Sequence, residues 1–276
     1  MFVVIKGAGD IASGIALRLY HAGINIAMTE IAAPSSVRRT VCFSQAVYEG
    51  QAQVEDVLAI RVDKARVNEA WQPSGALQRA IAVFVDPEAA IVEQLKPDAL
   101  IDAIMAKRNT GTSIKDAALV IGVGPGFSAG VDCHAVIETH RGHSLGRVIT
   151  EGSALPNSGI PGEIDGFSTE RLLRSPKDGV FEALKSIGDS VKQGETLALV
   201  RSKSASAKEE ISYIKAEIDG ILRGLLPSGI EVKAGMKAGD VDPRCKREHC
   251  FTVSDKALAI GGGVLEALLR FRTQYR

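Results

Sequence analysis

Three of the five histidines fall within ten residues, in a stretch that also carries a thiol and a carboxylate: Asp132-Cys133-His134, then Glu138-Thr139-His140-Arg141-Gly142-His143. Residues of these types open three chemistries. His140 and His143 on a turn beside Glu138 could converge on a metal. Cys133 beside a histidine could act as a nucleophile with its base. Glu138 with His140 could pass protons as an acid–base pair. The first two spacings match no established motif, so no metal site is assigned. Glu138 and His140 stand as the catalytic candidates, and whether the chain is an enzyme stays open. Further on, Cys245, His249 and Cys250 place three candidate zinc ligands in six residues, half a site without a second cysteine pair.

Groups suited to an anion are more numerous. Gly7-Ala8-Gly9-Asp10 follows a short apolar run, Phe2 to Lys6, and precedes Ile11, Ile15 and Leu19 at helical spacing. The pattern predicts strand, glycine turn, helix, closed by Gly23, and then a second strand, Ile24 to Met28, with Glu30 at its end. A pyrophosphate would approach the backbone at Gly7 and Gly9 and lie on the helix N-terminus. Glu30 would accept hydrogen bonds from a ribose diol, favouring an unphosphorylated adenosine ribose. The third small position is Ala12, with Gly14 displaced by two. Asp10 stands at the helix start, where it could cap the helix and repel a phosphate. A second glycine-rich turn, Gly122-Val123-Gly124-Pro125-Gly126, follows another apolar run and offers backbone amides to an anion. Lys107 and Arg108, in the turn-like stretch Asp102 to Thr112, and His140, Arg141, His143 and Arg147 would meet phosphate or other oxygens. The expected ligand-binding set is therefore Gly7, Gly9, Asp10, Glu30, Lys107, Arg108, Gly122, Gly124, Gly126, His140, Arg141, His143 and Arg147.

The elements that position these groups read as an α/β chain. Further strands are expected at Val57–Ile60, Ile81–Asp86, Ala99–Asp102 and Ala118–Ile121, with a helix from Glu88 to Lys96 between two prolines. Asp86 and Asp102 end their strands on the edge where open sheets bind ligands, or else cap the next element. Residues 1–150 are read as a Rossmann-like parallel-sheet domain and 151–175 as a turn-rich connection. Residues 176–244 hold an internal repeat: Asp178-Gly179, Leu184, Gly188, Val191-Lys192 and Gly194 recur at Asp219-Gly220, Leu225, Gly229, Val232-Lys233 and Gly235, always 41 residues on. Two such copies of short strands resemble the biotinyl/lipoyl barrel-sandwich hybrid. The stretch between them lacks a Met-Lys-Met-like tip, so neither Lys203 nor Lys208 is read as a swinging arm. Residues 245–276 are expected to add a helical segment packing on the first domain, with Ser254-Asp255 as a helix start, a glycine run at 261–263 and apolar helical spacing from Val264 to Phe271.

Composition narrows the partners. Lysine plus arginine equals aspartate plus glutamate at 33 each, so nothing favours nucleic acid or an anionic membrane. No apolar run would span a bilayer. Four cysteines are too few for a disulfide scaffold, and a reducing cytoplasm is the expected location.

Taken jointly, Gly7-Ala8-Gly9-Asp10-Ile11-Ala12, Ala106-Lys107-Arg108-Asn109, Gly124-Pro125-Gly126-Phe127, the run Glu138 to Arg147 and Asp240 to Arg244 resemble the YqeB family of the selenium-dependent molybdenum hydroxylase system. That family is in turn distantly similar to XdhC-type accessory proteins of the molybdenum cofactor. The resemblance implies a maturation role toward a molybdenum hydroxylase subunit, with the molybdenum cofactor (a pterin) or a dinucleotide as the bound group. It carries over no catalytic residue. Three readings stay open: an accessory protein with a small phosphorylated ligand, a nicotinamide- or nucleotide-dependent enzyme, and an interaction scaffold whose glycine turn is unused. A homo-oligomer is compatible with each.

Overall fold

The computed structural model describes residues 1–67, 80–159, 161–202 and 210–274. The chain divides into two compact units. One comprises Met1–Pro34, Cys42–Ser158 and Val253–Arg276; the other comprises Ser35–Val41 and Gly159–Thr252.

The first unit is built on a nine-stranded mixed sheet. Its strands are β1 (Phe2–Lys6), β2 (Asn25–Glu30), β3 (Gln51–Val54), β4 (Val57–Arg61), β5 (Ala80–Val85), β6 (Ala99–Asp102), β7 (Leu119–Val123), β8 (Ala135–Ile137) and β9 (Val148–Ile149). The spatial order is β3-β4-β5-β2-β1-β6-β7-β8-β9, parallel from β4 to β8 and antiparallel at both edges. The central strands are largely apolar and buried, as strands covered on both faces must be, with Lys6 and Asp102 ending β1 and β6. Strand order reverses between β1 and β6, so the connections leaving these two strands diverge and open a crevice at their carboxyl ends.

Helix α1 (Asp10–His21) joins β1 to β2, α2 (Ala46–Glu49) precedes β3, and α3 (Ile91–Leu95) precedes β6. The final helix, α4 (Asp255–Gln274), starts at the expected Asp255 and runs straight through Gly261-Gly262-Gly263. Gly261 and Gly263 serve packing. A Cβ on Gly261 would lie 2.9 Å from the Gly14 carbonyl oxygen, and one on Gly263 would lie 2.1 Å from that of Gly146. Gly14 faces the same helix: its Cβ would sit 2.5 Å from the Ala257 Cβ. The two helices therefore cross at backbone-to-backbone range.

The second unit contains two four-stranded antiparallel sheets, β10-β17-β15-β12 and β14-β13-β11-β16. Its strands are β10 (Leu172–Arg174), β11 (Gly179–Ala183), β12 (Ser190–Val191), β13 (Thr196–Arg201), β14 (Ile211–Lys215), β15 (Gly220–Leu225), β16 (Glu231–Val232) and β17 (Lys237–Asp242). β11, β12 and β13 begin 41 residues before β15, β16 and β17. The copies exchange partners, β11 with β16 and β12 with β15. Their charges are exchanged too: Lys192 reaches Asp219 at 2.8 Å, and Lys233 reaches Asp178 at 2.8 Å. Phe181, Leu197, Leu222, Leu225 and Val241 fill the core beneath them.

This architecture corrects the expectation of a Rossmann-like parallel domain joined to a biotinyl/lipoyl-like barrel-sandwich. The large sheet is mixed and has antiparallel strands at both edges. Among the described residues no α-helix covers the crossovers β6-to-β7 and β7-to-β8, so the sheet is not doubly wound. In the second unit, β10 lies outside the repeat yet pairs with β17, and Val37, far away in sequence, accepts a hydrogen bond from the Leu225 amide. The unit is more than two clasped copies. Residues 245–252 also belong to it, so the terminal segment starts at Val253 and not at 245. The expected helix Glu88–Lys96 is trimmed to α3, because Asp86 spends a carboxylate oxygen on the Ile91 amide and starts the helix there. Lys203 and Lys208 lie outside the described residues.

Candidate functional site

The carboxyl edge of β1, β6, β7 and β8 gathers most of the residues with chemical potential in the first unit. At its centre the Gly7-Ala8-Gly9 turn feeds α1. Gly7 has φ +91, and a Cβ there would meet the Ala103 oxygen at 3.1 Å, so the β6 loop closes directly against the turn. The Ala8 carbonyl accepts hydrogen bonds from Ser13 Oγ at 3.1 Å and from the Ser44 amide at 2.8 Å. Gly9 is the helix N-cap and provides no side-chain cap. Gly9, Asp10 and Ile11 are half-exposed. The first-turn amides of a twelve-residue helix thus face outward without the usual oxygen of a capping side chain.

Beneath the turn lies a buried polar chain. Lys6 Nζ donates to Thr112 Oγ1 at 2.7 Å, and Thr112 Oγ1 donates to Asp102 Oδ2 at 2.6 Å. Asp102 Oδ1 also accepts the Ile104 amide. Asn109 holds the far end of the same loop, its Oδ1 taking the Gly111 and Thr112 amides. The loop from Asp102 to Thr112 is therefore internally braced, with Met105 and Lys107 at φ +62 and +64. Lys107 and Arg108 are exposed on it.

The second glycine turn meets this loop. A Cβ on Gly126 would fall 2.5 Å from Arg108 Cα, and one on Gly124 would fall 2.8 Å from Thr139 Oγ1. Gly122 is filled by the Phe127 ring, 2.4 Å from where its Cβ would be. The Gly124 amide is spent on the Ile137 carbonyl. These glycines allow close packing, and of their amides that of Gly124 is committed to protein. Their effect is still to bring Arg108 beside the β7 end.

Several other expected roles are reassigned. Glu30 accepts the Ala8 amide at 2.9 Å and the Ile31 amide at 2.8 Å, so its carboxylate braces the glycine turn instead of awaiting a ribose. Burial pushes its pKa up, with the two amide bonds pulling the other way. Glu138 is buried and accepts three amides: Thr139 and His140 on Oε1, each at 2.7 Å, and Leu155 on Oε2 at 2.8 Å. A carboxylate so occupied is a turn-closing anchor, not a proton shuttle, while the side chain of its candidate partner His140 is exposed. Cys133 is fully buried, and desolvation raises its thiol pKa to about 11, which removes it as a nucleophile. His134 Nδ1 accepts the Val120 amide at 2.9 Å. Arg141 forms a two-point pair with Asp255 at 3.0 and 3.2 Å, at the start of α4. His143 and Arg147 are exposed. Among the described residues no three His, Cys, Asp or Glu side chains converge as metal ligands; Cys250 is buried and Cys245 exposed.

One residue was missed. Lys256, half-buried on α4, feels the charges of Arg141, Asp10, Glu138 and Asp255. Burial first, and then Arg141, lower its pKa. The Gly14–Ala257 crossing holds it near the N-terminus of α1. No sequence motif marks it, because its position depends on a helix contact between residues more than two hundred apart.

No family model matches the chain. It is 46% identical over 272 residues to the Escherichia coli (strain K12) protein named "Uncharacterized protein YqeB", covering 99% of this chain and 48% of that one. The chain thus spans about half the length of this curated relative. Among solved structures, similarity is to an aspartoacylase family protein from Mesorhizobium loti (12% identity, TM-score 0.29, 87% of this chain and 84% of that one). It extends to a succinylglutamate desuccinylase/aspartoacylase from Rhodobacter sphaeroides (12%, 0.28, 87% and 85%). The ectoine utilization protein EutE (DoeB) from Ruegeria pomeroyi is a third (13%, 0.27, 87% and 84%). The expectation of a maturation protein for molybdenum hydroxylases finds no support in these comparisons: the relative's name states no function, and no neighbour named here is such a protein. Among the described residues no helix is long and apolar enough to cross a membrane. At 46% identity over nearly its whole length, the chain groups with the YqeB family.

Proposed function

We propose that the first unit binds a small phosphorylated molecule at the carboxyl edge of β1 and β6. The observation that carries this reading is the N-terminus of α1, without a side-chain cap, at the reversal of strand order, with Lys256 close enough to feel the Asp10 charge and Lys107 and Arg108 exposed on the loop after β6. Backbone amides of a helix start bind phosphate by geometry and by dipole, and flanking cations add to both. Asp10 opposes an anion at the same turn, so the phosphate contacts the Gly9 side, and Lys256 offsets the Asp10 charge. The Glu30 carboxylate is committed to the turn, so recognition rests on the phosphate and not on a ribose.

The test is isothermal titration of the full chain with inorganic phosphate, fructose 6-phosphate, ADP and NAD, against unphosphorylated fructose and adenosine. The reading expects heat from the phosphorylated compounds alone. It also expects the Lys107→Ala/Arg108→Ala double variant to bind about thirtyfold more weakly, each charge-assisted contact being worth on the order of 1 kcal/mol. Equal binding of fructose and its phosphate, or none of either, overturns it.

A further inference from the structure

Helices α1 and α4 cross while running in the same sense. Gly14 packs against Val253 and Ala257, and Gly261 packs against the Gly14 carbonyl and the Arg18 side chain, so contacts advance along both helices together. Their N-termini therefore lie at one end, and because α1 follows directly from β1 that end is the carboxyl edge of the sheet. Each helix opens on an aspartate, Asp10 and Asp255. The positive ends of two helix dipoles meet there, a setting that favours carboxylates and disfavours an ammonium.

Lys256, the second residue of α4, stands in this setting, half-buried. Its Nζ makes no hydrogen bond and no ion pair among the described residues. Buried Lys6, by contrast, donates to Thr112 Oγ1 and lies 3.6 Å from Asp102. Three acids bear on Lys256 from a distance: Asp10, Glu138 and Asp255. Glu138 is taken up by three amides and Asp255 by Arg141. Arg141 adds a like charge of its own. Burial and Arg141 lower the pKa of Lys256, against the pull of the three carboxylates. A lysine needed only as a charge gains nothing from burial beside another cation, since both weaken the ammonium. Both favour the free amine, whose lone pair is a nucleophile.

We propose that Lys256 is an amine nucleophile that condenses with the carbonyl group of a small phosphorylated aldehyde or ketone held at this edge. It rests on the phosphate site proposed above and adds the carbonyl to the ligand. The Nζ lone pair attacks the carbonyl carbon and a C–N bond forms. The two amine hydrogens leave with the carbonyl oxygen as water, and a C=N bond remains. Nothing is oxidised or reduced. Protonation of the imine nitrogen restores the positive charge that faces Asp10.

The experiment incubates the full chain with dihydroxyacetone phosphate and sodium cyanoborohydride, which reduces an imine to a stable secondary amine, and locates the adduct by peptide mass spectrometry. Lys256 is expected to be labelled ahead of the exposed Lys96 and Lys115. From about pH 9 to about pH 7 the exposed lysines, with a pKa near 10.4, are expected to slow by about tenfold per pH unit, and Lys256 by less. Lys256→Arg keeps the charge and forms no imine, so the adduct is expected to be lost while the melting temperature shows that the chain is folded. Arg141→Gln removes a like charge and releases Asp255, and labelling of Lys256 near pH 7 is expected to slow. Glycerol 3-phosphate carries the phosphate without the carbonyl, and calorimetry with it separates the two readings. If it binds while dihydroxyacetone phosphate labels Lys256 no faster than Lys96 and Lys115, the imine is overturned and the phosphate site stands. If neither compound binds the folded wild-type chain, the phosphate site falls and the imine with it.

Discussion

Replacing Glu138 with glutamine separates a structural anchor from a catalytic base. Both carboxylate oxygens are spent: Oε1 takes two amides at 2.7 Å and Oε2 takes the Leu155 amide at 2.8 Å. Glutamine keeps one oxygen for Thr139 and His140 but presents an NH2 group to the Leu155 amide, donor against donor. A hydrogen bond to a charged group contributes about 1.5–3 kcal/mol, and a buried amide left unsatisfied costs about 1–3 kcal/mol. With partial relaxation the loss is about 2–4 kcal/mol. A domain of this size shifts by roughly 2–4 °C per kcal/mol, so the melting transition of the first unit should fall by about 5–15 °C. Differential scanning calorimetry measures this directly, and the transition of the second unit should stay in place. The reasoning fails if Glu138→Gln melts with the wild type while abolishing ligand binding or turnover, which is the signature of an acid–base residue.

Four other outcomes follow from the same geometry. Asp242 is a carboxylate whose burial would raise its pKa but whose Arg244 hydrogen bonds and Arg223 charge bring it to about 2. A group depressed in the folded state contributes stability above its unfolded pKa of about 3.9 and loses it as pH falls through the folded value. Urea midpoints of the second unit should therefore drop between about pH 4 and pH 2, and Asp242→Asn should flatten that slope by about 2 kcal/mol. Gly14→Val should overpack the crossing at Ala257 by about 1–3 kcal/mol, and Ala257→Gly in the same chain should recover part of the loss in a double-mutant cycle. Gly224→Ala should destabilise the second unit by a similar amount and leave the first unit's transition unmoved. Iodoacetamide on the native chain should label the exposed Cys245 well before the buried Cys42, Cys133 and Cys250, followed by mass spectrometry; equal rates would contradict the burial.

Local pattern was legible where one segment decides its own conformation. The first strand, the glycine turn and α1 follow from apolar spacing within thirty residues. The repeat of 41 is visible because each copy carries its own corner glycines, and the structure starts corresponding strands at that interval. The partners of charged groups were not legible. Arg38 and Arg171 contact residues 211 and 69 positions away, and nothing in their neighbourhoods announces it. Glu30 reads as a ribose contact from its place at a strand end, and Glu138 as a proton carrier from its neighbour His140. Both are instead consumed by amides of tight turns, which a sequence does not display.

The glycine turns show why the same letters carry two meanings. A glycine after a strand says only that the backbone there tolerates φ above zero or that something lies within Cβ range. At Gly124 and Gly126 that something is protein: the Thr139 side chain and the Arg108 backbone, at 2.8 and 2.5 Å. At Gly9 it is the N-cap position of α1, where no side chain supplies the capping oxygen. The two cases diverge under substitution. Ala at 126 must push a loop away and should cost stability with or without ligand. Ser at 9 would place a hydroxyl over the helix start as an internal cap, stabilising the first unit by about 0.5–1 kcal/mol while competing with an incoming phosphate. A Gly9→Ser chain that melts higher and binds phosphate more weakly would fix the helix start as the ligand's seat. A chain that melts higher and binds unchanged would move the ligand away from α1.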